Sequence, residues 1–138
     1  MGYREALFSH NIPFDPGLIS LGAFDAEIAH KSIVKWLKNG VNFEALFAGD
    51  DEAATGAITA FKHAGLHIPE DIAVVGFDDI YIAQYLSPPL TTINAPTEQV
   101  GFKAAQQLLR LIRQEPTEPL VLLPTELIIR RSCGCAWS

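Results

Sequence analysis

Apolar positions along this chain recur in two alternating periods. Short continuous runs of strand length occur at Leu18-Ile19-Ser20-Leu21-Gly22, Phe43 to Ala48 and Ile72-Ala73-Val74-Val75-Gly76-Phe77. Between the first two, Ala29, Ile33, Trp36 and Leu37 fall at helical spacing; Asp25 is placed to cap a helix from Ala26 to Lys38, and Asn39-Gly40 to stop it. After the second run, Asp50-Asp51 offers an N-cap and residues 53 to 64 predict a helix ended by Gly65. Gly2 to His10 reads as a further helix, followed by a loop punctuated by Pro13 and Pro16. Leu90 to Ile93 reads as a strand, and Val100, Ala104, Leu108, Leu111 and Ile112 line one side of a long helix from Thr97 to Gln114. Two extended runs, Leu120 to Leu123 and Leu127 to Ile129, lie either side of Pro124. Strands alternating with helices of about a dozen residues predict right-handed crossovers and a parallel sheet covered on both faces, an α/β architecture.

Composition narrows the functions open to such a fold. With 138 residues, 49% hydrophobic and 19% charged, the chain has the makings of one ordinary domain with a buried core. A net charge of −6 repels phosphate backbones and anionic lipid surfaces, which argues against nucleic acid as a partner of these residues alone. No run approaches the roughly 20 apolar residues that span a bilayer, and no basic segment followed by an apolar run opens the chain, so neither anchor nor secretion signal is expected. Cys133 and Cys135 sit one residue apart and could close only a small strained ring, which excludes a disulfide scaffold. Residues 42 to 100 carry nine acidic side chains and Lys62 as the only base. Such a block is a solvated face, a cation site or a surface that hydrogen-bonds polyhydroxy ligands.

Open parallel sheets gather ligands outside the carboxyl ends of their strands, and three acidic sites fall there: Asp25, Asp50-Asp51 and Asp78-Asp79. A carboxylate at that rim accepts hydrogen bonds from neighbouring sugar hydroxyls, while an aromatic ring such as Phe24 covers the apolar C–H face. Asp25 and Asp51 stand where helices need N-caps and read mainly as structural, whereas Asp50 and Asp78 are less explained by capping and read as ligand contacts. Phe24 suits the rim or the core, and Trp36 the core. A receiver-type phosphoryl site fails on spacing, since Lys103, inside a helix, is the only lysine after residue 62. No nucleophile elbow, P-loop or dinucleotide fingerprint is present, and His10, His30, His63 and His67 read as surface residues. Two thiolates fill only half of a tetrahedral zinc site, and Arg130-Arg131 reads as the flank of the last strand. No catalytic residue, metal or cofactor is therefore assigned.

Four stretches together carry a resemblance: Phe47-Ala-Gly-Asp-Asp51, Gly65 through Ile-Pro-Glu-Asp-Ile-Ala-Val-Val-Gly-Phe to Asp79, Tyr85-Leu-Ser-Pro-Pro-Leu-Thr-Thr-Ile93 and Leu123 to Ser132. In this order they resemble the effector-binding core of the lactose-repressor/galactose-repressor (LacI/GalR) family, whose periplasmic-binding-protein-like fold has two α/β subdomains around a ligand cleft. The resemblance implies that residues 1 to 94 are mainly the C-terminal subdomain, that about 96 to 122 supply a helix and strand of the N-terminal subdomain, and that 123 to 138 return to the first and form a tail. It implies Phe24 stacking on the ligand, Asp50 and Asp78 hydrogen-bonding it, and Asp51 capping a helix. Tyr81, Tyr85, Leu86 and Pro88 match part of the family's dimer surface. Asn94-Ala95-Pro96 departs from the family's Arg/His-Gln-Pro, which removes one polar contact at Ala95. The family's ligand-binding Arg, the first strand and helix of this subdomain, most of the other subdomain and the helix-turn-helix reader all fall outside this sequence. A sheet lacking that inner strand invites pairing with a second copy, as a homodimer or a strand-exchanged oligomer. The implied function is a non-enzymatic, cytoplasmic sugar or nucleobase sensor of a transcriptional regulator, reaching DNA only through another domain. Arg131-Ser-Cys-Gly-Cys135 also resembles sensor domains that precede kinase or diguanylate cyclase modules, which supplies the alternative reading.

Overall fold

The computed structural model describes residues 2–135. Helix α1 spans Gly2–Ser9, a 3-10 turn Pro16–Leu18, α2 Ala26–Lys38, β1 Ala45–Phe47, α3 Asp51–His63, β2 Ala73–Asp78, a second 3-10 turn Tyr81–Tyr85, β3 Thr91–Asn94, α4 Thr97–Ile112 and β4 Glu126–Ile128. The sheet has the order β1-β2-β3-β4. Its first three strands are parallel, with Leu46 opposite Val74 and Val75 opposite Thr91, and β4 joins antiparallel with Ile128 opposite Thr92. Parallel strands need crossovers, and α3 supplies the one between β1 and β2.

The core lies between the sheet and the α2–α3 pair, where Ala29 and Ile33 meet Ala53, Ala57, Ile58, Ala60 and Phe61 over Val74 and Leu90. Small residues allow the two helices to approach closely: a Cβ on Gly56 would lie 1.9 Å from the carbonyl oxygen of Ala26. Fully buried Ser132 ties the end of the chain to the sheet. Its hydroxyl donates to the Val74 carbonyl at 2.6 Å and accepts from the Thr91 N–H at 2.8 Å.

Three features depart from the sequence-based expectation. Residues 18 to 22 form no strand: they face the edge strand β1 across an apolar groove and join no ladder with it. Leu120 to Leu123 likewise stays outside the sheet, and of the last two runs only the second contributes a strand. The sheet is covered on one face rather than two. Val74, Gly76 and Thr92 are buried beneath α3, whereas Ala45, Phe47, Val75, Phe77 and Ile93 on the other face are exposed or half-buried. Helix α4 is amphipathic as its spacing predicts, yet it buries none of its residues and shares an apolar groove with Ala95-Pro96 and residues 118 to 125.

Candidate ligand-binding rim

Every turn at the carboxyl edge of β1 and β2 is shaped by an aspartate. After β1, the chain passes through Ala48 and Gly49 into Asp50, whose extended backbone (φ −152°, ψ 175°) makes it the N-cap of α3, with Oδ1 accepting the Ala53 N–H at 2.8 Å. This corrects the expectation that Asp51 is the cap. Of two adjacent aspartates only the first keeps the non-helical backbone a cap requires, and Asp51 already has its place in the first turn. Asp50 is 9% exposed, and its Oδ2 takes no protein hydrogen bond among the described residues, so capping leaves one carboxylate oxygen uncommitted.

Asp51 turns instead toward the sheet and is completely buried. Its Oδ1 accepts the Thr92 hydroxyl at 2.6 Å, and its Oδ2 accepts the Ile80 N–H at 2.9 Å. Burial raises its pKa above the ordinary carboxylate value; the two hydrogen bonds oppose the rise, and the neighbouring charges of Asp79 and Asp78 add to it. Gly76 makes room for this carboxylate, since a Cβ there would stand 2.1 Å from Asp51 Oδ1.

Phe24 reaches the same edge from the loop before α2. Ala23 and Phe24 both adopt left-handed backbone conformations, with φ of 51° and 55°, and Asp25 then caps α2 by accepting the Ile28 N–H at 2.8 Å. The Phe24 ring is 73% exposed and lies over Gly49, with Cε1 at 3.5 Å from where a Cβ on that glycine would be. Asp78 ends β2, the strand next to β1, and is half-buried. Phe24, Asp50 and Asp78 therefore share one edge of the sheet. None of them lines the apolar groove between residues 18 to 22, α2 and β1.

The backbone behind Asp78 is unusual. Asp78 and Asp79 have φ of 99° and 54°, a left-handed pair without glycine. Asp79 is held by the Asn94 amide at 3.1 Å and by Arg130 Nη2 at 2.7 Å, while Arg130 Nη1 donates to the Leu90 carbonyl at 2.8 Å. Sequence reading missed this network, whose members Asp79, Asn94 and Arg130 lie far apart in the chain. Tyr81 and Tyr85, matched to a dimer surface, are exposed with rings 5.0 Å apart, whereas Leu86 packs partly against the core and Pro88 is half-buried. Cys133 and Cys135 are free thiols, and the last three residues of the segment 123 to 138, expected to return and form a tail, lie outside the described residues.

Comparison with known proteins places this fold. Residues 1–133 match the family of periplasmic binding protein-like domains. The chain is 36% identical over 132 residues to the HTH-type transcriptional regulator CelR of Thermobifida fusca, covering 95% of this chain and 39% of CelR. It is equally 36% identical to the HTH-type transcriptional repressor PurR of Aliivibrio salmonicida, covering 95% of this chain and 40% of that repressor. The chain thus spans about two fifths of the length of these relatives. Among solved structures, a complex of a transcriptional regulator CelR with cellobiose superimposes with a TM-score of 0.89 at 36% identity, over 95% of this chain and 40% of that one. A LacI-family regulator from Sanguibacter keddieii gives 0.89 at 30% identity, over 97% and 51%. The relatives are named as regulators of transcription rather than enzymes. With its mostly parallel sheet and its aspartate-edged rim, the chain belongs to the periplasmic binding protein-like domain family, in the form found in LacI-type regulators.

Proposed function

We propose that this chain is part of the effector-binding domain of a LacI-type transcriptional regulator and that it takes a neutral sugar at the rim formed by Phe24, Asp50 and Asp78. The observation that supports the reading is their common place at the carboxyl edge of two neighbouring strands. An exposed ring lies over Gly49, the next residue keeps a free carboxylate oxygen, and a second acidic side chain ends the adjacent strand. Uncharged sugars offer the matching pattern, with hydroxyls for carboxylates and an apolar C–H face for the ring. The solved cellobiose complex of a relative supports this ligand class.

The rim is one wall of a cleft. Residues 1 to 94 and the return from 123 form this wall's subdomain. Helix α4 and residues 118 to 122 belong to the opposite subdomain, a division supported by α4 burying nothing against the sheet. Ligand then favours the closed arrangement over the open one, and closure alters the spacing of paired DNA readers in a cytoplasmic dimer whose surface includes Tyr81, Tyr85, Leu86 and Pro88. No named relative favours the signalling alternative. A thermal-shift screen of mono- and disaccharides, cellobiose among them, on the intact protein tests the reading. A sugar at 100 times its Kd adds about 2.7 kcal/mol of stability; Phe24→Ala or Asp78→Asn each weakens binding about tenfold, which cuts that gain to about half and leaves it measurable. No shift with any sugar, or a shift indifferent to both substitutions, refutes it.

A further inference from the structure

We propose that Arg130 is a positioning residue for the Asp78 carboxylate, acting through Asp79; the inference rests on Asp78 being a ligand contact. The Asp78 side chain makes no hydrogen bond among the described residues, so the backbone turn alone sets its direction. That turn is two consecutive left-handed residues with Cβ atoms, a conformation that persists only where its surroundings impose it. Three groups impose it here. Asp51 Oδ2 holds the Ile80 N–H just after the turn, and Asn94 and Arg130 each hold one oxygen of Asp79.

Arg130 is the strongest of the three by geometry and surroundings. One arm of its guanidinium grips Asp79 Oδ1 at 2.7 Å, the other grips the Leu90 carbonyl at 2.8 Å, and its own backbone N–H is fixed on Thr91 Oγ1 at 2.8 Å. The pair is mostly removed from solvent, with side-chain exposures of 17% and 16%, so bulk screening is weak. A planar fork bridges two acceptors that a lysine ammonium on a flexible stem does not hold in one fixed geometry. The residue lies 51 positions from Asp79 in the chain, beyond β4, so the strand that closes the sheet also sets the rim.

Arg130→Lys on the intact protein, with and without Asp78→Asn, tests this. In the ligand-free state, amide exchange at Asp79 and Ile80 quickens at least tenfold in Arg130→Lys, while the Leu46 and Val74 amides are unchanged. Cellobiose affinity falls about tenfold in Arg130→Lys, and this loss disappears in the Asp78→Asn background, which a merely structural role would not produce. Asn94→Ser withdraws the weaker donor from the same carboxylate and gives the same pattern at smaller size, should Arg130→Lys not fold. Unchanged exchange at Asp79 and Ile80, or an affinity loss of equal size in both backgrounds, overturns the inference. Absence of cellobiose binding in the unmodified protein, with the exchange difference intact, supports the control of the Asp78 turn and counts against the sugar reading instead.

Discussion

Gly56→Ala sets two effects of comparable size against one another. In a helix interior, alanine is favoured over glycine by about 1 kcal/mol. At this position the added Cβ would meet the Ala26 carbonyl oxygen at 1.9 Å, its carbon at 2.7 Å and its Cα at 2.8 Å. The obstacle is backbone at the first residue of α2, so no side chain can swing aside, and the helices have to separate by about an ångström to restore the closest contact real Cβ atoms make. Overpacking costs typically about 1–3 kcal/mol, and a rigid obstacle puts this case at the upper end, leaving a net loss of about 2 kcal/mol after the propensity gain. Urea unfolding followed by far-UV circular dichroism reads this directly; in a thermal scan a domain of this size loses roughly 3–5 °C per kcal/mol. Because Ala26 follows Asp25 and Phe24, the displacement also reaches the rim, and sugar affinity falls with stability. A Gly56→Ala protein as stable as the original or more so would mean that propensity outweighs the clash and that α2 and α3 do not approach as described.

Other substitutions separate roles that neighbouring residues share. Asp51→Ala strips the acceptor from the Thr92 hydroxyl and the Ile80 N–H, each costing about 1–3 kcal/mol when left unpaired, so urea unfolding should show a loss of about 2–6 kcal/mol; less than 1 kcal/mol would contradict the buried contacts. The pKa of Asp51 is raised in the fold, so its contribution is fully present below the ordinary aspartate value of 3.8 and is lost as pH rises through the higher folded value. Asp51→Asn therefore flattens the dependence of the urea midpoint on pH above 3.8, and an unaltered profile would contradict the raised pKa. Asp25→Ala and Asp50→Ala each remove an N-cap at a cost of about 1 kcal/mol, but only Asp50→Ala should also abolish the sugar-dependent thermal shift.

Where local signals agree, the sequence was readable. Helix α2 begins and ends where Asp25 and Asn39-Gly40 place it, and the unbroken apolar run after Ile72 became the central strand β2. A continuous apolar run marks a segment as able to extend, but a strand exists only once its backbone pairs; Leu18 to Leu21 and Leu120 to Leu123 carry the signal and join no ladder. At Asp50-Asp51 both residues satisfy the same capping preference. The choice between them depends on the vacancy over Gly76 and the hydroxyl of Thr92, the latter 41 residues away. The grip of Arg130 on Asp79 spans a still greater separation, with no local spacing to reveal it.

The carboxylate of Asp51 fastens three passes of the chain at one point: the start of α3, the turn after β2 and the middle of β3. Positions 51, 76 and 92 are consequently a single evolutionary unit. A descendant that acquires any side chain at position 76 must shed the acid at 51, and the hydroxyl at 92 then loses its purpose. Lineages are expected to keep all three or exchange all three, and a methyl-bearing intermediate is the unfit step between them.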